Sequence, residues 1–310
     1  MAKTKIADIL DPEILSDKAA TYFPGKVAFV GTGVADVGGS KIDQGGTRLT
    51  VPKFKKAADE FDDLSEDTGL TPKKLEQYKE ETPVIRRGIA YEIGDIADLV
   101  MLDDPNEEVA VQISTQAGRT IDRSFINVTI GATPAANTYD VSADSGAKVL
   151  IEGTHVINAL LKVGDELENL RAIIMHSKVY GDLLQNNLID YVQESEVDRI
   201  PTYMGRRVFV SDRTPVDTSN DNNIYSTYLV GNGSFFHDFQ AELDVEFDRD
   251  ILDKSDLIAA DVHYCVHLRG TNWKTSSPDK PTKAQVKDTA NWEQAAESNK
   301  EIKLVALLTN

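Results

Sequence analysis

Between Pro105 and Val128 the apolar residues Val109, Ile113, Ala117, Ile121, Phe125 and Val128 recur every three or four positions. That spacing lines them up along one face of a helix and leaves the opposite face polar. Asp104 suits the cap, Pro105 suits the first helical position, and Glu107 and Glu108 complement the positive helix end. A helix of ~22 residues spans roughly 33 Å. A helix this long with a single apolar face has to be covered along its length, so the sequence predicts a strut lying across a sheet.

The rest of the chain offers material for that sheet. Thr47–Val51 alternates like a short strand, Leu170–Met175 reads as a buried strand, and Arg207–Val210 as another. The last third predicts strands at Ile224–Val230, Leu243–Phe247, Leu257–Leu268 and Ile302–Leu308. Within the third of these, Ile258, Ala260, Val262, Tyr264, Val266 and Leu268 alternate with their neighbours, which predicts one buried and one wetter face. A second helix is expected from near Ser145 through Leu150, Ile151, Ile157, Leu160 and Leu161, stopping at Gly164. A short helix is expected from Ser177 to Leu188. Helices and strands come in separate blocks rather than a βα rhythm, so the fold class is α+β.

Charge narrows the function. The chain carries 51 acidic and 33 basic residues, a formal net charge of −18. Such a surface mostly repels phosphate, which argues against a nucleic-acid reader. No apolar run approaches the ~20 residues of a membrane span, and the first residues contain no apolar signal core. One cysteine, Cys265, excludes an internal disulfide framework and fits a reducing compartment. Two segments lack the pattern of a core. Ile6, Ile9, Leu10, Ile14 and Leu15, interrupted by Asp11-Pro12, read as an arm that docks on something else. Lys53–Glu81 is highly charged, and its sparse apolar members Phe54, Phe61, Leu64, Leu70 and Leu75 follow neither period. A long loop of this kind is functional or disordered, and a neighbouring subunit is the simplest thing to order it.

Chemical motifs are few. Val27–Val30 leading into Gly31-Thr32-Gly33 imitates the start of a dinucleotide-binding unit. The third glycine position holds Asp36, which opposes a pyrophosphate, and Gly38, Gly39, Gly45 and Gly46 break any following helix. His263, Cys265 and His267 share one face of a strand with Asp261, but the plainer reading is a sheet face with an inert cysteine. Acidic pairs such as Asp62-Asp63 and Asp103-Asp104 are too common to single out. No cofactor, metal site or catalytic set is expected.

A longer pattern is more specific. Met175-His176-Ser177-Lys178-Val179-Tyr180 leads to Leu188-Ile189-Asp190-Tyr191, then to Ile200-Pro201-Thr202-Tyr203-Met204-Gly205-Arg206-Arg207-Val208-Phe209-Val210-Ser211-Asp212. With Asp11-Pro12-Glu13, Gly45–Phe54, Leu70–Leu75, Arg86–Ala90, His267–Trp273 and Ala290–Glu293 in the same order, the chain resembles the coat proteins of tailed bacteriophages. The resemblance covers nearly the whole chain. It implies the tailed-phage major capsid fold: an N-terminal arm at 1–34 and an extended loop at 35–92. A peripheral domain at 93–147 holds a spine helix at 105–128, an axial domain follows at 148–238, and return strands with a C-terminal segment occupy 239–310.

It also implies function. The subunit is expected to self-assemble as hexamers and pentamers into an icosahedral head, formed in the host cytoplasm and retained in the virion. The shell would enclose DNA without binding it tightly. Scaffolding and portal proteins are the expected partners, and with the arm at the start of the chain the scaffold is expected to be a separate protein. Inter-subunit contacts are expected at Ile9, Leu10, Phe54, Phe61, Lys73, Arg86 and Arg87. Lys53, Lys55, Lys56, Lys73 and Lys74 lie where some members form isopeptide crosslinks, although solvated charge is the preferred reading. The alternatives are an encapsulin-type compartment and, more distantly, a nucleotide-dependent enzyme built on Gly31-Thr32-Gly33.

Overall fold

A computed structural model describes residues 33–38, 46–55, 74–94, 105–142, 149–193, 199–218 and 223–310. Helix α1 runs from Pro105 to Ala132. It extends one turn past the expected end at Val128, and Asp104 lies outside the described residues. Ile113, Ala117, Ile121, Phe125 and Val128 are all buried, as their spacing predicts.

Strands are numbered in chain order. One sheet has the order β1 (Ala35–Val37), β12 (Phe235–Asp250), β13 (Ser255–Leu268), β4 (Ile85–Gly94). A larger sheet has the order β5 (Thr138–Asp140), β16 (Leu304–Thr309), β11 (Ile224–Gly231), β6 (Leu170–Met175), β9 (Arg206–Val210), β8 (Arg199–Tyr203), β7 (Asp190–Gln193). β10 (Val216–Asp217) also pairs with β11. Two pairs stand apart: β2 (Arg48–Phe54) with β3 (Gln77–Pro83), and β14 (Thr271–Trp273) with β15 (Trp292–Gln294).

The larger sheet is buried on both faces, which explains why its central strands are apolar runs rather than alternating ones. Ala172, Ile174, Tyr228, Val230, Leu304 and Ala306 join the core that contains the α1 stripe. Ile173, Met175, Leu229, Val305 and Leu307 face a second core. That core is closed by α2 (Gly153–Leu160) and α3 (Ser177–Gln185), through Val156, Ala159, Val179 and Leu183. The sheet is a wall shared by two cores. A fourth helix, α4 (Lys283–Lys287), opens with a capping box between Thr282 and Gln285 and packs against α1.

Several expectations need correction. Ser145 lies outside the described residues; the helix that carries Ile157 and Leu160 starts at Gly153, and Leu150 and Ile151 precede it. Asn310 holds that stretch extended: its side chain accepts the Val149 N–H at 2.6 Å, and its own N–H reaches the Val149 carbonyl. Gly164 does break the helical path as expected: α2 ends at Leu160, a 3-10 turn continues from Leu161, and Gly164, non-helical at φ 66°, makes the kink that separates it from a second 3-10 turn ending at Asn169. The helix expected to reach Leu188 ends at Gln185, and Asn187 turns the chain with a positive φ. β12 is far longer than Leu243–Phe247 because β13 pairs with it from Phe235 to Asp250. After Gly33 the chain forms β1 rather than the helix a dinucleotide-binding turn needs, and Asp36 pairs with Arg269 at 2.6 Å; Gly31 and Thr32 lie outside the described residues.

Candidate assembly interface

β2 and β3 form an antiparallel hairpin that lies against the C-terminal end of β13. Its alternation is regular, but half of its inner face is polar. Leu49, Val51 and Lys53 on β2 sit opposite Thr82, Glu80 and Tyr78 on β3. Leu49 is buried with Val84 and Cys265, and Val51 and Phe236 pack on them. Thr82 Oγ1 donates to the Val266 carbonyl, and the Glu81 N–H donates to Asn272.

Glu80 is the anchor. It is buried, and its carboxylate accepts from His267 Nε2 at 3.1 Å and from the Gly270 N–H at 2.9 Å. Lys53 Nζ lies 3.3 Å away, and the Tyr78 hydroxyl donates at 3.2 Å. Burial pushes the Glu80 carboxyl up, but His267, Lys53 and the Gly270 N–H outweigh it and hold its pKa below the usual value. Burial and the same carboxylate push the Tyr78 phenol up to about 12. At the hairpin's base the Arg48 guanidinium donates to Asp279 and to the carbonyls of Lys274, Thr275 and Ser277. Arg48 ties the arm's root to the loop beneath Trp273, while Lys55 is paired with Glu76 and Glu297.

The described far end of the hairpin is apolar and bare: Phe54 is 61% exposed and Leu75 is 60% exposed. Phe61 and Lys73 lie between them in sequence, outside the described residues, as do Ile9 and Leu10. Arg86 and Arg87 sit together at the start of β4 and bind within the chain. Arg86 donates to the Gly46 carbonyl and to Gln240, and Arg87 donates to the carbonyls of Arg86 and Pro281. The structure therefore places Phe54 and the arginine pair at opposite ends of one arm.

Sequence reasoning missed a second bare feature. The turn joining β12 to β13 carries Ile251 at 80% and Leu252 at 93% exposure. Two aliphatic side chains in an otherwise acidic turn were the available signal, because nothing in a turn of this kind requires them. The edge of the second core adds Ile157, Leu161, Tyr191 and Val192, all exposed.

The face of β13 expected to be wetter is dry at its C-terminal half. Cys265 and His267 are buried under the hairpin, and only His263 reaches solvent, with its Nε2 2.8 Å from Asp261. Among the described residues, no group of three or more His, Cys, Asp or Glu is placed to hold a metal ion. Burial pushes the Cys265 thiol up to about 12. The native protein should therefore react negligibly with a maleimide at neutral pH and fully after denaturation. Rapid labelling of the native chain would show that the hairpin does not cover this strand.

The model of the major capsid protein 13-like family matches residues 52–303. The major capsid protein of Bacillus phage SPP1 is 27% identical over 97% of this chain and 96% of its own length. The capsid of Ralstonia phage GP4 superposes with a TM-score of 0.64 at 8% identity, covering 89% of this chain and 87% of that one. The encapsulin of the holo-SrpI complex from Synechococcus elongatus PCC 7942 gives a TM-score of 0.50 at 11% identity, covering 75% and 77%.

Proposed function

The chain belongs to the major capsid protein 13-like family, and we propose that it is the subunit of an icosahedral bacteriophage head, assembling as hexamers and pentamers around double-stranded DNA. The observation that carries this reading is the β2–β3 arm. Its root is fixed by Arg48 and Glu80, while its far end presents Phe54 and Leu75, both exposed among the described residues. An anchored arm with a bare apolar end is a device for joining copies, because rigid anchoring spares part of the ordering cost of each contact. Repeated over a closed shell, modest contacts hold through avidity.

The parts fall to the roles that the resemblance implies. Residues 1–34 are assigned to an N-terminal arm and 35–92 to the extended loop, with β2 and β3 as its stem. The peripheral domain takes 93–147 with α1 as its spine, and 239–310 return to it. The axial domain takes 148–238, the part gathered around the second core. Scaffolding and portal proteins are the expected partners, the virion is the expected location, and no catalytic step is assigned. The enclosed polymer separates this reading from an encapsulin-type compartment, to which the chain has the weaker fold likeness.

Negative-stain electron microscopy of the purified chain, alone and with a candidate scaffold, provides the test. Closed shells or hexameric capsomers are the expected result. Monomers or small dimers alone, under both conditions, would overturn the proposal. Shells that exclude DNA during packaging but retain a protein cargo would replace the phage head with a compartment.

A further inference from the structure

A cleft of about 400 Å³ lies between α1 and the small sheet. Its floor is apolar: Ile113 and Ala117 from the helix, with Leu243, Ala260 and Val262 from the strands. Its rim is basic, formed by Arg87, Arg119, Arg123 and Lys283. In a chain of net charge −18 this gathering of cations is out of character. Arg87 is committed to the carbonyls of Arg86 and Pro281, but the other three side chains are exposed. Arg119 and Arg123 stand one turn apart on α1, where like charges weaken a helix. Among the described residues neither they nor Lys283 has an ion-pair partner. Arg213, exposed in the turn after β9, extends the patch. Burial, then Arg123 and Arg119, hold its pKa below the ordinary arginine value, and Asp122 acts in the opposite direction. Asp261, the one carboxylate on the lining, lies 2.8 Å from His263.

Cations crowded together without counter-charges repel one another, and an arriving anion relieves that repulsion. Two features favour a phosphate backbone over an acidic peptide. None of the five floor residues is more than 8% exposed, so a peptide's apolar anchor would bury little further surface there. What the patch offers a partner is charge. Three of its four exposed cations are guanidiniums, which pair with phosphate through two parallel N–H bonds. We propose that Arg119, Arg123, Arg213 and Lys283 form the surface through which each subunit touches the phosphates of the enclosed duplex DNA. The inference rests on the phage-head reading and names the face turned to the genome.

Magnitudes reconcile this contact with a shell that does not hold DNA tightly. Each phosphate neutralised contributes about −0.9 to the slope of log K against log salt, so four contacts give a slope of about −3.6. Affinity then falls roughly 150-fold between about 50 and 200 mM salt. The contacts are to phosphate alone and carry no sequence preference. The acidic surface elsewhere opposes any wider contact, so the duplex meets the wall at one patch per subunit and stays free to move during filling.

Salt titration of the whole chain tests the patch. Binding to a labelled duplex of about 20 base pairs is followed by anisotropy from about 20 to 200 mM salt. The parent slope should be about −3.6, and R119Q/R123Q should bring it to about −1.8. K162Q, which removes an exposed cation at the edge of the second core, should leave it unchanged. The two arginine side chains are exposed, so the thermal midpoint of R119Q/R123Q should hardly move. A parent that does not bind at the lowest salt, or equal slopes for parent and R119Q/R123Q, would overturn the inference. Fewer shells from R119Q/R123Q with the parent's slope would make the patch a protein contact and equally overturn it. A second measurement uses filled heads and does not depend on those variants. Chains carrying Q116C, a cleft residue, are diluted into parent chains after the new thiol is coupled to a photoreactive azide. Cys265 is buried and stays unlabelled. Irradiation should give several-fold more protein–DNA adduct from Q116C than from K162C. Filled heads with equal adduct at both positions would overturn the inference and leave the capsid function standing. A parent that forms no shell would instead overturn the phage-head reading, and this inference with it.

Discussion

Replacing Gly131 with alanine should destabilise the protein by about 2–4 kcal/mol, although the same change inside most helices is stabilising. Gly131 lies in the last turn of α1, where the helix meets the C-terminal segment. A Cβ there would press on the Val286 carbonyl oxygen and stand 2.7 Å from Trp292 Nε1. Trp292 Nε1 donates to that same carbonyl at 2.9 Å, and the indole packs edge-on against Trp273 with centroids 5.0 Å apart. The added methyl gains about 1 kcal/mol of helix propensity. Against this stand roughly 1–3 kcal/mol of overpacking and a further ~1–3 kcal/mol for separating a buried donor from its acceptor. Crowding wins on these magnitudes. Trp273 and Trp292 are the protein's two tryptophans and both are buried, so fluorescence during urea unfolding reports this contact directly. Gly181, in α3, is the control: nothing lies within 4 Å of a Cβ there, and Gly181→Ala should be neutral to stabilising by about 1 kcal/mol. A Gly131→Ala midpoint at or above the parent's would show that α1 does not approach Trp292 this closely.

What could be read from the sequence followed from whether burial used apolar side chains. The α1 stripe and the alternation of β13 were visible because the positions facing their shared core carried apolar side chains. The hairpin was only half visible. Its inner face includes Lys53, Tyr78, Glu80 and Thr82, so a hydrophobic period-2 search passes over β3 and reads the segment as a charged loop. The regular spacing was present, but the core residues were polar and satisfied one another. The helix expected to carry Leu150 and Ile151 begins after them for a different reason. Leu150 and Ile151 fit a helical spacing, but Asn310, from the far end of the chain, holds the neighbouring Val149 extended, and no local rule sees that contact. The basic cleft is likewise invisible in sequence, because Arg87 on β4, Arg119 and Arg123 on α1, and Lys283 on α4 converge only in the fold. The motif order that resembles phage coat proteins carried the family assignment without depending on any of these local readings.

Removing the Glu80 carboxylate should unfasten the arm. In Glu80→Ala, His267 Nε2 and the Gly270 N–H lose their acceptor inside the protein, and Lys53 loses its counter-charge. Breaking a buried pair from one side costs about 3–5 kcal/mol. Glu80→Gln keeps an acceptor oxygen and loses only the charge, so it should cost less, about 1–3 kcal/mol. Cys265 reports the event, because it lies beneath Leu49 and Val84 and reacts only when the hairpin lifts. If opening becomes easier by about 3 kcal/mol, thiol labelling should accelerate by roughly 100-fold. The pH dependence has a definite sign. A carboxyl whose folded pKa is depressed stabilises fully above its unfolded value, and that contribution is lost as pH falls through the lower folded value. Labelling of the parent, corrected for the thiolate fraction, should therefore rise only on the acid side of the ordinary glutamate pKa of about 4.3. The Glu80→Gln profile should lack that rise. Equal labelling rates for parent and Glu80→Ala would mean that the arm is held by Arg48 and the apolar contacts alone. In that case the buried carboxylate would not set how firmly the arm is anchored before it meets a neighbour.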